Sequence, residues 1–416
     1  MSTERIRITD LANPVLTEVQ KQVLALTATH PVTLTAEAVM AAAKAQTGLD
    51  YFGDMSFLLR LKLWMNSANA DEGLSTAGRA AFFGLALRFA MARLDVEDMI
   101  RRHPEIEQVE LEMPLVIAGL PRSGTTYMLQ LMGADKRLRS LQHWEGVRPV
   151  PNRYIKDGKD RRFEMAAAEW AEADAVLPYM KSVHEFAPDH ITEDIELTSM
   201  DFGGYYPEWF ADIPQWRDYQ LSHDPEPWLR YLRRAIQLLV WQRGPNRWVG
   251  KCPQHIEQLA AVDRAFGGAF IIINHRDPVA SIQSIMTGVA YSARLQRKRV
   301  DMREIARYWI DRYEGMLRRC VRDRDQLNPD RCYDLYFHDL MNDPFGRLEE
   351  IYTKSGVPFD DETRAAFNRA IDENKRGKHG QLEYDLRGDF GLDPADVRKR
   401  FDFYFERFPQ VQVEVR

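Results

Sequence analysis

Three cations and one glycine-bounded turn carry the chemistry this sequence offers. Gly119-Leu120-Pro121-Arg122-Ser123-Gly124 follows a short apolar run, 115–118, and precedes a stretch with Met128, Leu129 and Met132 at helical spacing. A buried strand, a tight loop and a helix start make an anion cradle, because the loop amides and the helix dipole point at one spot. Arg122 and Ser123 lie inside the loop, so a positive charge sits beside whatever anion the amides hold. Lys251 and Arg276 stand in equivalent places, each just beyond another stretch that reads as a strand, 247–250 and 269–274.

A parallel sheet would bring these residues together. Strand and helix alternate from 247 onward: Pro253 and Pro278 each open a helix, and a further strand is expected over 332–336. Asp343-Pro344 starts another helix, which stops at Gly356. Such alternation predicts an α/β fold, a P-loop-type parallel sheet flanked by helices, with ligands at the carboxyl edge. An N-terminal helical subdomain precedes it, with helices over 34–47, 57–65 and 75–94, the first capped by Thr35. His103-Pro104 ends that set.

The expected division is a helical lead-in over 1–110, a core over 111–358, and C-terminal helices with a basic loop over 359–416. Within the core, 141–150 reads as a loop, 160–176 as a helix, and 178–241 as an irregular, ring-rich insertion of the kind that lines a cavity.

Composition sets the limits. The chain has 416 residues, 45% of them hydrophobic, and a net charge of −6, which argues against nucleic-acid binding through bulk positive charge. Its 3 cysteines, Cys252, Cys320 and Cys332, are too few for a disulfide scaffold or a four-ligand zinc cluster. The polar start and the lack of any long apolar run predict a cytoplasmic protein without a leader or membrane span.

At Pro121-Arg122-Ser123-Gly124-Thr125-Thr126 the sequence resembles the 3′-phosphoadenylyl-sulfate (PAPS) dependent sulfotransferases, whose first signature reads P-[KR]-[ST]-G-T-T. Their second signature is an apolar strand, R-[DE]-P and a serine eight positions after the arginine. Arg276-Asp277-Pro278 and Ser284 match it. The resemblance covers about 115–285 and is closest to a bacterial branch with a helical lead-in.

It implies PAPS as co-substrate, without a metal, gripped at its 5′-phosphosulfate by Arg122, Ser123, Gly124, Thr125 and Thr126. Tyr127 stands where the cytosolic branch places an adenine-stacking ring. Arg276 and Ser284 would hold the 3′-phosphate, with Ser281 a weaker alternative, and Arg376-Gly377 resembles the late loop that folds over it. Lys251 and Arg122 would meet the leaving group. For the base the resemblance points to Glu145 or His255, with His184, Glu185 and Glu193 in the ring-rich segment behind them.

The acceptor would be a hydroxyl or phenol on a small apolar or glycosidic molecule, and a homo-oligomer is left open. The rival reading is a P-loop kinase or NTPase, which needs Lys where Thr125 stands and an acidic strand end for Mg²⁺. A non-catalytic nucleotide binder is the third, opposed by the intact set Arg122, Lys251, Arg276 and Ser284.

Overall fold

The computed structural model describes residues 4–373 and 380–414. Its centre is a four-stranded sheet of β1 (Glu112–Gly119), β2 (Arg247–Lys251), β3 (Phe270–His275) and β4 (Cys332–Tyr336). All neighbours are parallel, and the order across the sheet is β2-β1-β3-β4. Both faces are covered, so the strands alternate between two cores. Val116, Ala118, Ile271 and Ile273 join one, while Leu115, Ile117, Phe270 and Ile272 join the other with Met128, Leu129 and Met132. The register sets Ile117 opposite Lys251, Gly119 opposite Asn274 and His275 opposite Tyr336. The carboxyl ends of all four strands therefore meet at one edge.

The lead-in helices Glu18–Thr29, Ala36–Thr47, Phe57–Ala70 and Thr76–Arg102 pack Trp64, Phe82 and Phe89 into the first of these cores. Thr35 caps its helix as expected, accepting from the amide of Ala38 at 3.2 Å, and Gly48 ends it in the left-handed region that glycine adopts freely. A buried ion cluster, Arg60 and Arg93 on Asp201, fastens the lead-in to the ring-rich segment.

Three local expectations are corrected. The segment 178–241 is not mainly irregular: it contains the helices Pro214–Ser222 and Glu226–Gln242. The second buries Trp228, Leu229, Leu232, Ala235, Ile236 and Leu239 at helical spacing, a period that the density of rings obscures. Within 141–150 a short helix, His143–Val147, replaces the expected loop. Pro253 opens a 3₁₀ turn, Pro253–Glu257, and the α-helix follows at Leu259–Phe266. Arg5–Ile6 also pairs with Gln381–Leu382, too short a ladder to leave a period in the sequence. Among the described residues no helix is long and apolar enough to cross a membrane.

Candidate active site

Beyond β1 the chain turns sharply into the helix Thr125–Gly133. A side chain at Gly119 would bring its Cβ within 2.7 Å of the Ser123 hydroxyl and 2.9 Å of Asn274. The amide and hydroxyl of Ser123 both donate to the carbonyl of Leu120, at 3.2 and 2.7 Å, and Asn274 Nδ2 donates to the carbonyl of Ser123 at 3.3 Å. Arg122 and Gly124 both have positive φ, 69° and 90°. For Arg122 that is a strained conformation, of the kind concentrated at functional loops. Gly124 is the helix cap and offers no side-chain acceptor, which leaves the first helix amides for an external anion.

The loop forms one wall of a cavity of about 800 Å³, which Arg122, Lys251 and Arg276 all line. Lys251 is buried at the end of β2, donates to Thr126 Oγ1 at 3.3 Å, and pairs with Glu193. The Arg276 guanidinium lies 3.8 Å from the centroid of the Phe337 ring. It donates to the carbonyl of Arg122 and to Glu414, in the latter case at 2.7 Å. Ser284 lines the same end and donates to the Tyr384 hydroxyl at 2.9 Å, while Ser281 donates to the carbonyl of Pro121. Gly124, Thr125, Thr126 and Tyr127 line the cavity, whereas the buried Ser123 hydroxyl is turned into the loop. Arg376 and Gly377 lie outside the described residues.

The two foremost base candidates stand elsewhere. Glu145 is buried between Arg139 and Arg243, at 2.7 and 3.0 Å, and is not among the cavity-lining residues. His255 is likewise buried behind the wall, its Nε2 3.4 Å from Asp194 and its Nδ1 3.4 Å from Gln258 Nε2. Position along the chain suggested both; the side chains face structural partners instead. Glu145→Gln is expected to lower stability by about 3 kcal/mol, because buried Arg139 loses its counter-charge. Turnover per folded molecule should be retained, which denaturation curves paired with activity assays would check.

Glu193 and His184 do line the cavity, while Glu185 faces His190 at 3.5 Å. Burial pushes His184 down to about 3, with Lys251, His143 and Arg122 adding to the effect, so its ring stays neutral. Much of the remaining lining is aromatic: Trp170, Phe186, Tyr205, Tyr206, Trp209 and Phe210. Burial pushes the phenols of Tyr205 and Tyr206 well up, so both hydroxyls stay protonated. The sequence reading missed Phe337, which covers Arg276, and Met341 and Ile371, which also line the cavity. Phe337 follows β4 directly, and that position at a parallel strand end was the available signal.

Residues 114–361 match the model of the sulfotransferase family. No significant match is found among curated proteins. Among solved structures, the chain is similar to sulfotransferase STF9 from Mycobacterium avium, with 25% identity and a TM-score of 0.81 over 92% of this chain and 99% of that one. It is similar also to sulfotransferase STF1 from Mycobacterium tuberculosis H37Rv, with 25% identity and a TM-score of 0.77 over 88% of this chain and 98% of that one. The family match spans well over half of the chain and contains the Arg122 loop, Lys251, Arg276 and Ser284; the protein therefore belongs to the sulfotransferase family, the PAPS-dependent transferases that its two motifs resemble.

Proposed function

We propose that this chain transfers the sulfuryl group of PAPS to the hydroxyl of an elongated apolar acceptor, with Glu193 as base and Lys251 at the leaving group. One observation carries the reading: three cations at strand ends and a set of aromatic side chains line one and the same cavity. The residues fit the donor. The uncapped helix start and Arg122 suit its phosphosulfate, Arg276 and Ser284 its 3′-phosphate, and Tyr127, Phe337 and Met341 give apolar cover for a base.

Bound PAPS supplies a sulfuryl group on a good leaving group, and the chain does the rest. Lys251, held by Thr126, meets charge that grows on the bridging oxygen in an in-line displacement. Arg122 balances the phosphosulfate from the loop. Glu193 stands beside Lys251 in the cavity wall, where its carboxylate can accept the proton of an acceptor hydroxyl. The protonated Tyr205 hydroxyl, close enough to Glu193 to feel its charge, can orient that oxygen, and the rings limit entry of water.

Acceptor length follows from the helix Pro278–Gln296. Ser284, Ile285, Ser292 and Gln296 all line the cavity, and at about 1.5 Å per residue Gln296 lies about 18 Å along the axis from Ser284 at the donor end, so the cavity continues well past the donor's seat. Such a chamber suits a rod-shaped alcohol or phenol with a polar far end. The test is product formation from PAPS with apolar alcohols and phenols set against simple sugars. Sulfated apolar product with release of adenosine 3′,5′-bisphosphate is expected; sulfation of sugars alone would remove the acceptor half of the reading.

Arg276 separates the two ends of the donor. Arg276→Ala should weaken adenosine 3′,5′-bisphosphate by about 1.5–3 kcal/mol, the worth of a charge-assisted contact, and leave adenosine 5′-phosphosulfate nearly unchanged. Titration calorimetry with both ligands measures the difference. Equal losses would make the arginine structural.

A further inference from the structure

Arg276 already carries an anion, and the anion belongs to the chain itself. Its Nε and Nη2 face the two carboxylate oxygens of Glu414, Nη2 at 2.7 Å, and its Nη1 donates to the carbonyl of Arg122. Phe337 covers one face of the guanidinium. The chain around Glu414 is fastened on both sides of this contact. The Glu414 amide donates to Asp277 Oδ2 at 2.9 Å, and Arg398 bridges Asp277 Oδ2, at 2.8 Å, and the Glu414 carbonyl, at 3.2 Å. Further back, the Tyr336 hydroxyl donates to Gln410 Oε1 at 3.0 Å, and Phe408 and Val411 are buried.

The geometry points to a strap, and we propose that residues 408–414 form it, with the Glu414 carboxylate holding the seat of the 3′-phosphate until a ligand displaces it. A carboxylate takes the same two parallel N–H donors of an arginine fork that a phosphate takes, and one pair of donors cannot serve both. The proposal rests on the reading of Arg276 as the 3′-phosphate residue. From it follows a selective cost. A ligand with a 3′-phosphate must lift Glu414 first, so its apparent affinity is reduced by the fraction of molecules in which the seat is free. A ligand without that phosphate can leave the strap in place. The opposite role, in which Glu414 aligns Arg276 for the cofactor, predicts the opposite sign for its removal.

Calorimetry on Glu414→Gln and Glu414→Ala therefore decides between the two. The strap predicts binding of adenosine 3′,5′-bisphosphate about tenfold tighter than in the wild type, with adenosine 5′-phosphosulfate unchanged. A second readout needs no variant. In the wild type the bisphosphate should speed tryptic cleavage after Arg407, seen by intact mass, because a lifted strap frees 408–414. Unchanged or weaker bisphosphate binding in both variants, or protection of the Arg407 site by ligand, overturns the strap and leaves the cofactor assignment standing. Failure of the bisphosphate to bind wild type and variants alike removes the reading of Arg276, and the strap with it.

Discussion

Lys251→Ala is expected to cut turnover by about a hundredfold or more while the affinity for adenosine 3′,5′-bisphosphate changes little. The lysine leaves the end of β2 with its side chain 2% exposed, held between Thr126 and Glu193. A buried ammonium in this position interacts weakly with a donor whose bridging oxygen is still neutralised by the sulfuryl group. It interacts strongly once that bond has stretched and charge has moved onto the oxygen. The loss therefore belongs in kcat, and the bisphosphate, which the proposal seats on the loop and Arg276, should barely register it. Removing the lysine also leaves Glu193 without its partner, so rates are to be compared per folded molecule. An unchanged kcat would mean that the end of β2 does not face the reacting atoms.

The second large effect is expected for Glu193→Gln. The amide keeps the shape and can still accept from Lys251, yet it cannot take a proton. Turnover with an alcohol acceptor should fall by about a hundredfold to ten-thousandfold, the range for loss of a general base. With acidic phenols, already partly ionised in solution, the loss should shrink toward nothing. His184→Asn should show no such dependence on acceptor acidity, because a ring held near 3 takes up a proton poorly. A series of substituted phenols, plotted as rate against acceptor pKa for each variant, checks both statements. If the His184 variant shows the dependence and the Glu193 variant does not, the roles are reversed.

The cation-bearing edge was legible because its signals are local. The short runs at 115–118 and 269–274, bounded by turn residues, read as strands covered on both faces, and in a parallel sheet the residues after them must share an edge. Arg122, Lys251 and Arg276 were placed that way, and all three line the cavity. The proposed base was harder to read, because direction is not written in spacing. Glu145 lies at a suitable distance from Arg122 along the chain, but the short helix His143–Val147 turns it toward Arg139 and Arg243. His255 follows Lys251 closely, yet the 3₁₀ turn Pro253–Glu257 carries it behind the wall to Asp194. Glu193 left no signal beyond its ring-rich surroundings, since its contact with Lys251 spans a loop and a strand end. Glu414 was invisible for a related reason: an extended segment without period says nothing of the arginine it will meet.

The account stands or falls on what the cation-lined wall binds, and calorimetry with adenosine 3′,5′-bisphosphate in the absence of divalent metal measures that directly. Saturable one-to-one binding is predicted, with a rise in unfolding temperature that grows with ligand concentration, as linkage requires. Mg-ATP should give neither, since Thr125 stands where a triphosphate loop needs its lysine. Binding and stabilisation by Mg-ATP, with none by the bisphosphate, would contradict the account.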